Sequence, residues 1–394
     1  MPNNHIDNGS GDCLQYTTTS TTATTTTQLY NVPPPSMKDV EGSKIYASKQ
    51  SPPSSFFQLQ QDCLFAAQRA LQDNYRLLEI EFPPLPASVL ELDDVSAYDV
   101  AQANLNLAVE FSKGMVGVSL NGNDSDNSED SSQDSPNVIK NVAILLPDED
   151  EKCIAIERYS GKSRDQVNED TYNVEPGVIV SSLRRGDPND DRLIKPEQTF
   201  LNLFGMGDDS SKNRADAVKP MDGIDMYVII VASAQELPDV EALSDQLPNV
   251  PIIFYNLKLD VLRGDLGAPA FPPKSFQDRF LSKVKPVYYL RTRQYSRSLA
   301  TPPFLMNYQG CLFRSYPGQY QTLLDTGTGS YRRIVGNDIR PGLGEFKEEL
   351  TQALKDEGVL PQSEGGALDF LRVGYKTTTW WEDERPEAYM EWRT

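Results

Sequence analysis

The stretch Asn141-Val-Ala-Ile-Leu-Leu146, followed at once by Pro147-Asp148-Glu149-Asp150-Glu151, decides the fold class of this chain. A short apolar run that ends abruptly in polar residues is typical of a buried strand rather than a helix. The same pattern returns in Met226-Tyr-Val-Ile-Ile-Val231 and in Pro251-Ile-Ile-Phe-Tyr255. Strands that are apolar on both faces belong to parallel sheets covered by helices. We therefore predict a three-layer, Rossmann-like α/β fold with a mostly parallel central sheet and helices on both faces.

The pattern changes after Gly310. Three strand-like segments follow at Cys311–Tyr316, Tyr320–Leu324 and Tyr331–Val335, and short links that contain glycine separate them. Links this short join antiparallel hairpins. We therefore expect an antiparallel strand group near the C-terminus to complete the sheet.

Composition divides the 394 residues into a folded part and polar segments. Residues 1–53 are rich in Thr, Ser, Asn and Pro, and residues 119–137 are almost free of apolar side chains. Such segments bury too little surface to offset their ordering entropy, so both are predicted to be disordered. We expect a single α/β domain over 54–357, with an irregular insert at 157–219 and a C-terminal tail at 358–394.

Several functional classes are disfavoured by composition. The net charge of -20 argues against nonspecific nucleic-acid binding. The four cysteines have no CxxC spacing and fit neither a zinc site nor a disulfide framework. No run of about 18 apolar residues is present, so no transmembrane segment is predicted.

Catalytic motifs are also missing from the sequence. The single histidine, His5, lies in the polar N-terminal segment, which disfavours Ser-His-Asp and Cys-His nucleophiles and histidine-ligated metals. There is no Walker phosphate loop, and neither G-x-G fragment follows a strand and precedes a helix. We expect no catalytic residue, cofactor or metal, and the chain fits a non-enzyme better than an enzyme.

Polar residues at the predicted strand ends are the candidate binding residues. Asp148 follows the first strand, Ser233 and Glu236 follow the second, and Asn256 follows the third. Ligands of such sheets bind at the carboxyl ends of the strands. The alternative interpretation is structural: Ser233 and Glu236 match a helix capping box, Asp148 suits a helix start, and Asn256 suits a turn.

Two further candidates involve arginine and lysine. Arg314 lies inside an apolar strand, where it must pair with a carboxylate, bind backbone carbonyls or face an anionic ligand. The segment from Lys274 to Arg297 is strongly basic and is either a solvated surface or a contact for an anionic partner. The predicted basic partner patch comprises Lys283, Lys285, Arg291, Arg293 and Arg297.

The chain resembles a plastid and cyanobacterial family called domain of unknown function 1995. The resemblance covers about Ser54 to about Glu357. Five segments carry it: Phe82-Pro83-Pro84-Leu85, Leu146-Pro147-Asp148, Ser233-Ala-Gln-Glu236-Leu237, Asn256-Leu257 and Arg314-Ser-Tyr316-Pro317-Gly318. The family includes the low photosystem II accumulation protein 3 of plants, and a related domain follows some plastid adenylate kinases.

The resemblance implies a function and a location. We expect a non-catalytic chloroplast protein of the stroma or thylakoid surface that binds protein partners, such as photosystem II assembly intermediates, and associates peripherally with the membrane. The alternative is a nucleotide- or phosphate-binding enzyme or regulatory domain. The Thr- and Ser-rich start is similar to a transit peptide in its hydroxyls, although its first base is Lys38.

Overall fold

The computed structural model describes residues 51–86, 89, 94–120, 138–162, 171–184, 218–263, 274–299, 302, 304–328, 330–361 and 389–394. These residues all belong to one compact unit, Gly42–Thr394. Most of the predicted N-terminal tail and of the predicted acidic insert lies outside the described residues, and so does most of the predicted C-terminal tail.

A single ten-stranded sheet organises the fold. Its strands are β1 Leu77–Glu81, β2 Val142–Leu146, β3 Thr171–Glu175, β4 Val178–Ser182, β5 Met226–Ile229, β6 Ile252–Tyr255, β7 Lys285–Ser298, β8 Leu305–Ser315, β9 Tyr320–Asp325 and β10 Tyr331–Asn337. They lie in the order β10-β9-β8-β7-β1-β6-β5-β2-β4-β3. The six strands from β7 to β4 run parallel, and β3, β8, β9 and β10 are antiparallel to their neighbours. The predicted α/β class and the added antiparallel group are confirmed.

Helices cover both faces of this sheet. The described helices are α1 Phe56–Gln72, α2 Ala97–Met115, α3 Glu149–Ser160, α4 Leu237–Gln246, α5 Leu259–Arg263, α6 Lys274–Arg279 and α7 Leu343–Asp356. The first three bury their apolar residues in one core on one face. On the other face, α4 and α6 pack into a second core, and α7 packs into a third core over the antiparallel strands.

The apolar strands contribute side chains to the cores on both faces of the sheet, as the sequence predicts. In β2, Val142, Ile144 and Leu146 point into the first core, and Ala143 and Leu145 point into the second. Successive side chains of a strand alternate between faces, so a strand buried on both sides must be apolar throughout. Fully burying each large aliphatic side chain contributes roughly 1.5–3 kcal/mol.

Strand β7 is much longer than the apolar run Val287–Leu290 that indicates it. It continues to Ser298 and pairs with β8 over most of its length. Beyond Leu290 only alternate residues are partly buried, so a search for continuous apolar runs misses this half of the strand. The C-terminal antiparallel group therefore starts with the pair β7–β8, and it begins before Gly310.

The predicted irregular insert at 157–219 contains regular structure in its described parts. It includes the end of α3 and the hairpin of β3 and β4. Gly177 makes the turn with φ +76°, and a Cβ there would lie 2.6 Å from the carbonyl oxygen of Lys140. Glycine is therefore the residue that this turn accommodates. The stretches 163–170 and 185–217 lie outside the described residues.

The topology marks one place on the sheet for a ligand. From β2 the chain passes through α3 toward β4, whereas from the neighbouring β5 it passes through α4 to β6 on the opposite side. Open α/β sheets bind ligands at such a switch point, beyond the carboxyl ends of the two strands. Asp148 and Ser233 follow these two strands.

Within the described part of the chain, no helix combines the length and the apolar composition needed to cross a membrane.

Candidate functional site

At the carboxyl end of β2, Asp148 caps α3. Its Oδ1 accepts a hydrogen bond of 2.9 Å from the backbone N–H of Glu151. In the same turn, Glu149 pairs with the Lys152 ammonium, whose side chain is only 1% exposed, and accepts a hydrogen bond from the Ser182 hydroxyl at the end of β4. A carboxylate at a helix start satisfies free N–H groups and the helix dipole, so Asp148 has a complete structural role.

At the carboxyl end of β5, Ser233 and Glu236 bind each other. The backbone N–H and the hydroxyl of Ser233 both donate to Glu236 Oε2, at 2.8 and 2.6 Å. The predicted pairing is present, but it closes a turn ahead of the helix. Because α4 begins at Leu237, Glu236 occupies the N-cap position and Pro238 lies in the first turn.

Arg184 connects the two strand ends. Its N–H donates to the carbonyl of Pro147, and its side chain reaches the start of α4. There the guanidinium lies 2.7 Å from Asp239 Oδ2 and 3.4 Å from Glu236 Oε1. Since Pro147 follows β2 and Glu236 follows β5, the Arg184 side chain crosses the switch point. It was missed from sequence, although its position one residue beyond the strand-like run Gly177–Leu183 was a usable signal.

These side chains form what we term the strand-end network. It comprises Asp148, Glu149, Lys152, Ser182, Arg184, Ser233, Glu236 and Asp239. Its four carboxylates outnumber its two cations, which disfavours a phosphate there. Among the described residues, no group of three or more His, Cys, Asp or Glu side chains is placed to hold a metal ion. The network consists of caps and ion pairs that satisfy one another.

Asn256 lies at the same edge of the sheet but joins a different set of contacts. It has a positive φ of 54° and is 8% exposed. Its Oδ1 accepts from the backbone N–H of Phe82 at 2.8 Å, and its Nδ2 donates to Asn104 Oδ1 at 2.9 Å. It thus ties the ends of β1 and β6 to α2, in addition to making the turn.

Arg314 does not join the strand ends. It lies on β8, and β7, β1 and β6 separate that strand from β5. The guanidinium is buried, donates through Nε to the carbonyl of Gly318 at 3.2 Å, and lies 4.5 Å from the ring centroid of Tyr320. The structure therefore brings Asp148, Ser233 and Glu236 to one edge and leaves Arg314 apart.

A second polar assembly surrounds Asp260 in the short helix α5. Its carboxylate pairs with Arg340, lies 3.5 Å from Arg291 Nη1 and 3.3 Å from Arg293 Nη2, and accepts a hydrogen bond from the Tyr289 hydroxyl. Burial alone would raise the pKa of Asp260. The guanidinium groups outweigh burial, with Arg340 first, and hold this pKa below its usual range.

Two buried glutamates of β1 extend this assembly. Glu79 Oε2 lies 2.7 Å from Arg263 Nη1, and both side chains are 1% exposed. Glu81 accepts a hydrogen bond of 2.9 Å from the backbone N–H of Lys258. Burial, followed by repulsion from Glu79, raises the pKa of Glu81 to about 7.

We name this assembly the arginine cluster. It comprises Arg263, Arg291, Arg293 and Arg340 with Asp260, Glu79, Glu81 and Tyr289. Four permanent cations thus face three carboxylates, one of which is partly protonated near neutral pH. Of these residues, only Arg291 and Arg293 were predicted from sequence, because the other members come from distant segments and carry no shared motif.

The remaining residues of the predicted basic patch are distributed differently. Lys283 lies 4.9 Å from the ring centroid of Tyr389. Lys285 is buried between the rings of Tyr75 and Tyr316, and burial lowers its pKa to about 7. Arg297 is half-buried toward the far end of β7. The patch is therefore not one continuous exposed surface.

Comparison with known proteins identifies the family. The family model described as Domain of unknown function (DUF1995) matches residues 53–348, so the chain belongs to that family. No curated protein and no solved structure matches the chain.

Proposed function

We propose that this member of the DUF1995 family is a non-catalytic plastid protein that acts by binding other proteins, as an auxiliary or assembly factor for photosystem II or for thylakoid maintenance. The location, at the stroma or the thylakoid surface, and the partner class rest on the family resemblance. Peripheral association with the membrane is part of the same proposal.

The contacts of Arg184 at the switch point support the non-catalytic part of this proposal. Arg184 spans that position, and its guanidinium is held by Glu236 and Asp239. A catalytic site needs preorganised groups whose donors or acceptors are open toward a reacting atom. The acceptors here are engaged by helix N–H groups, hydroxyls and cations of the same chain, which supports a structural role for this edge.

The test is affinity capture from thylakoid extract with the full chain as bait. We expect photosystem II subunits or assembly intermediates to co-purify, and we expect capture to survive about 0.15 M salt, where long-range charge attraction is largely screened. A thermal-shift screen with ATP, ADP and AMP runs beside it. A nucleotide-induced shift without any captured photosystem subunit would reverse the proposal.

The second candidate function is binding of a nucleotide or another phosphate compound, and the arginine cluster favours it. Nη1 of Arg340 is buried and has no hydrogen-bond partner among the described residues. Guanidinium groups bind phosphate strongly because their N–H donors match its oxygens. The side chain of Arg293, 23% exposed, offers a route from solvent.

Thermal shift with inorganic phosphate and ATP tests this candidate. Binding should stabilise the native chain, and Arg293→Gln should reduce the shift. Arg332→Gln is the matched control, since Arg332 is an exposed arginine that pairs with Glu357 outside the cluster. Equal shifts in both variants would show that the cluster does not bind the anion.

A further inference from the structure

Strand β10 is the outermost described strand at its end of the sheet. It pairs with β9 on one side only, and among the described residues no strand lies on its other side. In an antiparallel pair, alternate residues direct their N–H and C=O groups away from the partner strand. Alternate residues of the seven-residue strand β10 therefore provide a template on which another strand can pair.

A groove of about 1070 Å³ runs between this strand and helix α7. Ile334, Val335 and Ala353 contribute apolar side chains to its lining. Its acidic side chains are Asp338, Glu345, Glu348, Glu349, Asp356 and Glu357. Four of these acids lie on α7, with spacings of 3, 4, 7 and 11 residues that place them on one helix face.

Six acids and three arginines, Arg332, Arg340 and Arg393, line the groove, so its lining carries a net negative charge. Arg332 pairs with Glu357, and Arg340 pairs with Asp260 of the arginine cluster. Glu348 and Asp356 are exposed and stand on the open face of α7. Glu345 accepts a hydrogen bond from the backbone N–H of Gly342, and Glu349 accepts from Thr322 and Asn337. A cationic side chain entering from solvent would therefore meet the carboxylates of Glu348 and Asp356.

We propose that the β10 edge and the α7 stripe bind an extended peptide segment with basic side chains at alternate positions, by strand addition. The added strand would pair with the backbone of β10, and every second side chain would face α7. This inference deepens the proposed protein-binding function and rests on it, because it names the surface and the chemistry of the partner.

The same geometry disfavours a second copy of this edge as the occupant. Two copies would bring two acidic stripes together, and like charges across an interface are repelled.

The experiment uses the full chain and a fluorescent peptide of alternating lysine and valine, followed by anisotropy. We expect binding that is at least about tenfold weaker in the variant Glu348→Lys/Asp356→Lys, since two attractive charges become repulsive. The matched control is Glu157→Lys/Asp222→Lys, which makes the same change of net charge at exposed acids outside the groove. The control should bind as the natural chain does.

Two further probes separate strand pairing from charge attraction. A peptide of alternating glutamate and valine should not bind. The lysine peptide N-methylated at alternate residues should bind at least about tenfold more weakly, because it lacks the donors that pair with β10. Absence of binding by the lysine peptide, equal loss in the groove and control variants, or full binding by the methylated peptide would each overturn the proposal. Captured thylakoid proteins in such a case would leave the protein-binding function standing through another surface.

Discussion

The strand-end network and the arginine cluster are both built from ion pairs, yet they connect different parts of the fold. The strand-end network combines contacts between residues three positions apart, as in Asp148 with Glu151 and Ser233 with Glu236, with the side chain of Arg184, which crosses between two strand ends. The arginine cluster joins Glu79 of β1 to Asp260 of α5 and to Arg340 before α7. The first network organises helix starts, and the second connects the parallel part of the sheet to the antiparallel part.

Polar residues at the strand ends of an α/β sheet can therefore serve helix starts instead of a ligand. The strand ends, where such folds bind ligands, are here largely taken up by helix caps and by Arg184. Polar groups that remain open lie elsewhere, at the groove along β10 and at the arginine cluster. Because the arginine cluster is buried more deeply than the strand-end network, we expect its disruption to lower the free energy of unfolding more.

The largest expected effect is at Asp260. Asp260→Ala leaves Arg340, Arg291 and Arg293 around a position without a carboxylate, and removing one partner of a buried ion pair typically costs about 3–5 kcal/mol. We expect the free energy of unfolding, from urea denaturation monitored by circular dichroism, to fall by about that amount.

A variant that removes both charges tests whether the cost arises from uncompensated cations. Asp260→Ala combined with Arg340→Met should be less destabilised than the sum of the two single variants. A loss below about 1 kcal/mol for Asp260→Ala, the range of an exposed ion pair, would show that the cluster is not a buried hub.

An intermediate and pH-dependent effect is expected at Glu81. Because the pKa of Glu81 is raised to about 7 in the folded chain, the folded state binds a proton that the unfolded state has released. The free energy of unfolding is therefore reduced least by Glu81 below its ordinary pKa of 4.5. As pH rises to about 7, the free energy of unfolding declines. Glu81→Gln removes this decline.

The measurement is urea denaturation of the natural chain and of Glu81→Gln at pH 5 and pH 8. Relative to the natural chain, the variant should gain roughly 1–3 kcal/mol between these two pH values. Glu157→Gln, a change at an exposed glutamate of α3, is the control for loss of a surface charge. A pH-independent difference at Glu81 would place its folded pKa near the ordinary value.

The smallest effect is expected in the strand-end network. Ser233→Ala removes the hydroxyl that donates to Glu236 and should lower the free energy of unfolding by about 1 kcal/mol, as for loss of one hydrogen bond. The backbone N–H of Ser233 still reaches Glu236 in the variant. Urea denaturation checks this value, and a loss as large as that of Asp260→Ala would remove the contrast between the two assemblies.

Much of the fold could be predicted, because its signals are local. The apolar runs at β2, β5 and β6 predict buried parallel strands, and the Gly-containing links predict the β8–β9–β10 meander. The second half of β7 was missed because its partly buried residues alternate with exposed polar ones. The start of α4 at Leu237 was also missed, since the Ser233–Glu236 pair closes a turn ahead of the helix.

The candidate site was predictable only in part. Asp148, Ser233 and Glu236 were placed at neighbouring strand ends because position after a strand fixes the edge of the sheet. Arg314 was not brought there, because strand order across a sheet is set by long-range pairing that residue spacing does not encode.

The sequence by itself determined the α/β class, the buried strands and the helix start at Asp148, because periodicity and capping act over a few residues. Tertiary structure alone decided that Arg184 crosses the switch point, that Asp260 gathers four arginines, and that the β10 edge lies beside an acidic helix face. These arrangements depend on which distant segments the sheet order brings together. Coulombic interaction and burial act through space, so their outcome is fixed only when the chain has folded.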